Sequence, residues 1–185
     1  MDFITAQDDE YSGLAKSVAK HVGALDGIIH NAALLGARTP LEFYPAQDWQ
    51  QVMQVNINAV FYLTKALLPV LSKSRDARIV FISSSVGRVS RAYWGAYAVS
   101  KFAIEGLMQT LADELENTSN IRVNSLNPGA VSTKMRQAAY PAEDPGLQPC
   151  PESLMPIYLY LLSLEAKTLH GQTLNAREFN PQTQR

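Results

Sequence analysis

Apolar residues along this chain fall into two alternating patterns: short runs rich in β-branched residues, and longer stretches at helical spacing. A helical stretch over residues 11–22 leads into residues 25–30 (LDGIIH), a short apolar run that reads as a buried strand. Residues 48–72 carry Trp49, Val52, Met53, Val60, Leu63, Leu67 and Leu71 near the 3.6-residue period and predict one long amphipathic helix. Asp48, just after the Tyr44-Pro45 turn, is the expected cap of that helix. Residues 77–82 (ARIVFI) then predict a strand, residues 96–117 a helix and residues 121–126 a second strand. The proline-rich segment 135–156 is expected to be irregular, and a helix near 159–164 and a strand at 172–175 close the pattern. No internal repeat or low-complexity tract interrupts it.

Strands that alternate with helices imply parallel strands joined by right-handed crossovers in an α/β layered domain. In such sheets ligands bind beyond the carboxyl ends of the strands. Three of the predicted strands run there into small or polar residues: Asn31-Ala32-Ala33, Ser83-Ser84-Ser85-Val86-Gly87 and Asn127-Pro128-Gly129. These ends define the candidate cleft.

Composition narrows the partners. A chain of 185 residues with 46% hydrophobic residues is large enough for one domain with its own core. A net charge of -1, with no basic run interleaved with aromatics, gives no reason to expect nucleic acid or an anionic membrane. The apolar stretches are too short and interrupted to span a bilayer, and MDFITAQDDE lacks the pattern of a signal peptide. The single cysteine, Cys150, has no internal partner and fits a reducing compartment, so a cytoplasmic location is expected. His21, His30 and His170 are scattered without ligand spacing, so no metal is expected. Asp8, Asp9 and Glu10 read as a solvated helix start.

Tyr97 and Lys101 lie four apart on a predicted helix and share a face. A nearby ammonium favours phenolate and brings a phenol toward acid/base range. On spacing alone a surface Tyr–Lys pair remains the default reading. Ser84 stands thirteen residues before Tyr97 at a strand end, where a hydroxyl could hydrogen-bond a substrate oxygen; serines there are also common turn-formers. If the strand continued, Ser83, Ser84 and Ser85 would alternate, so only one or two would face the cleft.

The combination HNAA, VNIN, FISSSVG, GAYAVSK and NPGAVST, in this order over nearly the whole chain, resembles the short-chain dehydrogenase/reductase superfamily. The wording LDGIIHNAALLG, MQVNINA, SSSVGR, WGAYAVSKFA and ADE is similar to its YciK-like subgroup of oxidoreductases. The resemblance implies a Rossmann-like doubly wound parallel sheet with helices on both faces, and hydride transfer between NAD or NADP and a small-molecule carbonyl or alcohol. It casts Tyr97 as general acid/base, Lys101 as holder of the nicotinamide ribose that also lowers the Tyr97 pKa, and Ser84 as the group that orients the carbonyl. Asn56 would support a water-mediated relay to Lys101. Asp2, Asn31 and Ala32 would border the adenosine end of the cofactor, and Pro128, Gly129, Val131 and Thr133 its nicotinamide. His30 and Ala33 replace the usual Asn and Gly around the Asn-Ala turn, and His30 is expected to be structural. Segment 135–156 falls where the family carries a substrate lid, and the helices over 48–72 and 96–117 where it forms homodimers and homotetramers.

None of the 10 glycines forms the glycine-rich turn that brings backbone N–H groups to a dinucleotide pyrophosphate. The alignment of motifs back from His30 puts the family's first two strands before Met1, so the expectation is a single domain over 1–185 that lacks them. The outer edge of the strand near Ile28 would then be unpaired, and residues 3–5 would lose their neighbours. The competing reading is a catalytically inactive scaffold that keeps the oligomer-forming helices.

Overall fold

A computed structural model of the chain describes residues 1–180. Its helices are α1 (Asp8–Val22), α2 (Ala46–Met53), α3 (Ala59–Leu71), α4 (Gly95–Leu115), α5 (Lys134–Ala139) and α6 (Met155–Leu162). Its strands are β1 (Gly27–His30), β2 (Arg78–Ile82), β3 (Arg122–Asn127) and β4 (Thr173–Asn175), all parallel in the spatial order β1-β2-β3-β4. β2 is buried along its whole length, and its side chains divide between two cores. Ile79 and Phe81 face a cluster built with α1, α3 and α4, while Val80 and Ile82 face one built with α6. Burial on both faces is why this strand is a continuous apolar run rather than an alternating one.

Four expectations need correction. The long helix is not uniform: a π-helical segment, Gln54–Asn58, joins α2 to α3. Asp48 does not cap it; the helix begins at Ala46 with Pro45 as the flanking residue, and Asp48 sits inside the first turn. The proline-rich segment contains a helix, α5, whose first turn is capped by Thr133 Oγ1 accepting from Arg136 N at 3.1 Å. The last helix starts at Met155 rather than near 159, because Pro156 occupies its first turn, where a missing N–H costs nothing.

Among the described residues β1 pairs with β2 only. Residues 3–5 do find neighbours: Phe3 stacks on Tyr11 at 6.2 Å between ring centroids and packs with Ala6 and Ala59. His30 is structural. Its ring stacks on Phe81 at 5.0 Å, its register partner on β2, and its Nε2 lies 2.9 Å from Thr64 Oγ1. That hydroxyl already donates to Val60 O, so Nε2 is the donor. Burial holds the His30 pKa down to about 4.

Candidate active site

The carboxyl ends of β1, β2 and β3 open onto one cleft of about 1050 Å³. Its floor is built by the turn after β2. β2 ends at Ile82, the chain stays extended through Ser84, with Ser83 N donating to Leu126 O at 2.8 Å, and a single 3-10 turn, Ser85–Gly87, follows; all three serines border the cleft. Ser83 is buried with an unpartnered Oγ, Ser84 is half-buried and extended, and Ser85 is exposed. Gly87 packs so closely on α4 that a Cβ there would fall 2.7 Å from Lys101 Cβ, which is what lets the serine turn approach that helix.

Tyr97 and Lys101 project from the first turns of α4, both buried. The Tyr97 phenol is hydrogen-bonded with the Ser84 hydroxyl. Lys101 Nζ lies 5.6 Å from the Tyr97 ring centre and donates to Ile82 O at 2.6 Å. One of its three N–H groups is thus used by the end of β2. Burial lowers the Lys101 pKa to about 8, and the Glu105 carboxylate, one turn further along α4, acts against that. Burial also raises the Tyr97 pKa, with the Ser84 hydrogen bond opposing it. The net shift is upward, not the expected lowering: the Lys101 ammonium is turned toward the Ile82 carbonyl, and desolvation of the phenolate outweighs its attraction.

Asn56 lies in the π-helical segment and is fully buried. Its Oδ1 accepts from Leu34 N at 2.8 Å, and its Nδ2 donates to Leu34 O at 3.0 Å and to Ser100 Oγ at 2.9 Å. The Ser100 hydroxyl donates to Tyr97 O at 2.8 Å. The Asn56 side chain therefore ties the loop after β1 to the helix turn that carries Tyr97. Both of its amide hydrogens are thereby used.

The remaining sequence-predicted positions are divided. Asn31, Pro128, Gly129, Val131 and Thr133 line the main cleft. Asn31 and Ala32 also line a small recess of about 80 Å³ beside β1, with Phe3 and His30. Asp2 borders neither; its carboxylate accepts from Ile4 N at 2.9 Å in the turn before α1. Gly129 has φ 76 and accordingly needs no side chain, and its N–H donates to Asn127 Oδ1 at 3.0 Å.

Two groups escaped sequence reasoning. One is the buried network around Glu105, which accepts from Ser125 Oγ at 2.7 Å and from Arg88 Nε at 3.3 Å, while Arg88 also reaches Asn175 Oδ1 at 2.7 Å. Its i,i+4 spacing from Lys101 was the available signal. The other is a stack over the cleft mouth. The Arg38 guanidinium lies 4.1 Å from the Trp94 ring centre and 5.3 Å from that of Tyr140, whose ring also carries Arg136 at 3.8 Å. Arg38 Nη1 donates to Ala139 O at 2.8 Å, and no local pattern marks this loop arginine.

The short chain dehydrogenase family profile matches residues 2–144. The chain belongs to the short-chain dehydrogenase/reductase family. It is 48% identical over 177 residues to the uncharacterized oxidoreductase YciK of Escherichia coli K12, covering 96% of this chain and 69% of that one. A short-chain dehydrogenase structure from Salmonella enterica serovar Typhi superposes with a TM-score of 0.94 at 49% identity, over 96% of this chain and 72% of that one. One from Shigella flexneri, complexed with NADP, gives 0.93 at 47%, over 96% and 73%. In short-chain dehydrogenase terms, the serine turn and the Tyr97–Lys101 face are the motif-bearing parts of the cleft.

Proposed function

We propose that this chain supplies the reaction centre for hydride exchange between NAD or NADP and a small carbonyl or alcohol. The observation that carries this is the meeting of Ser84 and Tyr97 at the cleft floor with Lys101 directly behind them. A bound dinucleotide would supply the hydride. The residues fit its nicotinamide end: Lys101 keeps two N–H groups beyond the one given to Ile82 O, Ser83 Oγ lacks a partner, and no Asp or Glu lines the cleft. Lys101, Pro128, Gly129, Val131 and Thr133 would hold that end, with Asn31, Ala32 and Asp2 toward the adenosine. Among the described residues no glycine-rich turn follows a strand, so these residues hold the nicotinamide and not the diphosphate.

In the reducing direction Ser84 orients the carbonyl oxygen and Tyr97 gives it a proton. The buried phenol suits this role, since its raised pKa keeps the proton in place at neutral pH. Near pH 7 most of the Lys101 amine is an ammonium, which stabilises the tyrosinate left behind. Intact geometry favours an enzyme over a scaffold. Tyr97→Phe is expected to lower NAD(P)H consumption with a carbonyl compound by about a hundredfold to ten-thousandfold; unchanged turnover would sink the assignment.

We also infer that segment 135–156 is the substrate lid, and that copies associate through α3 and α4, where Phe61, Val99 and Phe102 stand 43–47% exposed. A homodimer or homotetramer in light scattering would support the second point, and a monomer would oppose it. No helix among the described residues is long and apolar enough to cross a membrane. A cytoplasmic site of action is part of this reading, supported by the lone, exposed Cys150.

A further inference from the structure

The charges lining the cleft are all of one sign. Among the described residues Arg91, Lys101, Arg136 and Arg177 border it and no aspartate or glutamate does, although the chain holds 17 acids against 16 bases. The excess is therefore local and not inherited from composition. Two of the four cations are already committed. Lys101 lies behind Tyr97 on the Ile82 carbonyl, and Arg136 is held by Glu143 through a close pair of hydrogen bonds at 2.5 and 2.6 Å.

Arg91 and Arg177 are not. Both are exposed, and Arg91 has no side-chain partner among the described residues. Among the described residues the Arg177 guanidinium has one hydrogen-bond partner, the neutral Gln148 Oε1, at 3.3 Å. Its side chain lies across Gly129, with Nε 3.1 Å from the place a Cβ would occupy, so the bare glycine gives the guanidinium room at the carboxyl end of β3. A guanidinium retains most of its five N–H donors in such a setting and matches carboxylate or phosphate oxygens with two parallel bonds. α6 adds an apolar part of the lining, with Met155, Tyr158 and Leu159.

We propose that the cleft selects a carbonyl substrate with an apolar body and a second, anionic group, a carboxylate or phosphate, which Arg91 and Arg177 bind while the carbonyl reaches Ser84 and Tyr97. This rests on the oxidoreductase reading above. The step itself is balanced by the reduced nicotinamide: its hydride goes to the carbonyl carbon, the Tyr97 proton to the oxygen, and an alcohol and the oxidised nicotinamide result.

The test measures binding separately from turnover. Trp94 lines the cleft, so tryptophan emission of the full chain can be titrated with 4-acetylbenzoate, 4-acetylphenyl phosphate and the neutral methyl 4-acetylbenzoate. The anions are expected to bind about tenfold tighter than the ester, a preference that shrinks with added salt. In the Arg91→Gln/Arg177→Gln variant the preference should vanish while a parallel NADPH titration is unchanged. A carboxylate and a phosphate source are distinguished by which anion leads. Equal affinity for anion and ester, a preference that survives in the double variant, no saturable quenching by any of the three, or a loss confined to NADPH would each overturn the proposal; the last would assign the arginines to cofactor phosphate. A binding preference without NADPH oxidation would fault the hydride-transfer reading alone, whereas equal oxidation rates with acid and ester would fault this proposal alone.

Discussion

Two buried bases with depressed pKa values both make stability rise with pH, in separate windows. Lys101 titrates at about 8 in the fold against an ordinary value of 10.5, so between those values the unfolded chain binds more protons. The penalty for burying its charge is present below pH 8 and is relieved as pH rises toward 10.5. His30 shifts from 6.5 to about 4, so its burial costs nothing above pH 6.5 and destabilises the fold progressively as pH falls through that window, by about 3 kcal/mol in all. Denaturant midpoints for His30→Asn are expected to fall less steeply than the parent's between pH 6.5 and 4; parallel slopes would contradict this. Glu105 opposes the lowering of the Lys101 pKa. Glu105→Gln should therefore move the alkaline limb of the activity profile to lower pH, because the ammonium is lost sooner, and an unmoved limb would remove Glu105 from the site. Residue chemistry was legible in part. Ser84, Tyr97 and Lys101 could be named from the resemblance their motifs carry, but the direction of the phenol's shift could not, since it depends on burial.

At the scale of elements, Asn56 and Arg38 do comparable work at two different joints. Asn56 fastens α4 to the loop after β1 through three hydrogen bonds, from a π-helical segment of the kind that often marks functional sites. Asn56→Ala is expected to cost roughly 3 kcal/mol in chemical denaturation, since it strands the Leu34 backbone groups. Arg38 fastens α5 to Trp94, so Arg38→Ala should increase proteolytic nicking within 135–156 while the midpoint of global unfolding moves little. Sequence patterning located all four strands to within two or three residues, because runs such as RIVFI answer to local burial on a pleated sheet. It missed the π segment, whose Asn56 bonds to Leu34, 22 residues away. It missed α5 as well, because the surrounding prolines mask a short helix capped by Thr133.

For the whole molecule, the cleft is where the parts converge: β-strand ends on one side, α4 and α6 on the other, and the arginine–aromatic stack at its mouth. Neighbouring strands in this sheet are also neighbours in sequence, since the order β1-β2-β3-β4 repeats the order along the chain. That has a consequence in time. During synthesis each strand can dock on the one already in place as it leaves the ribosome, and no later strand has to insert between two earlier ones. The last to arrive, Thr173–Asn175, is also the shortest and only half covered. Pulse-labelled hydrogen exchange during refolding is expected to protect the amides of Arg78–Ile82 before those of Thr173–Asn175, and the reverse order would show that the sheet does not grow in the order of the chain.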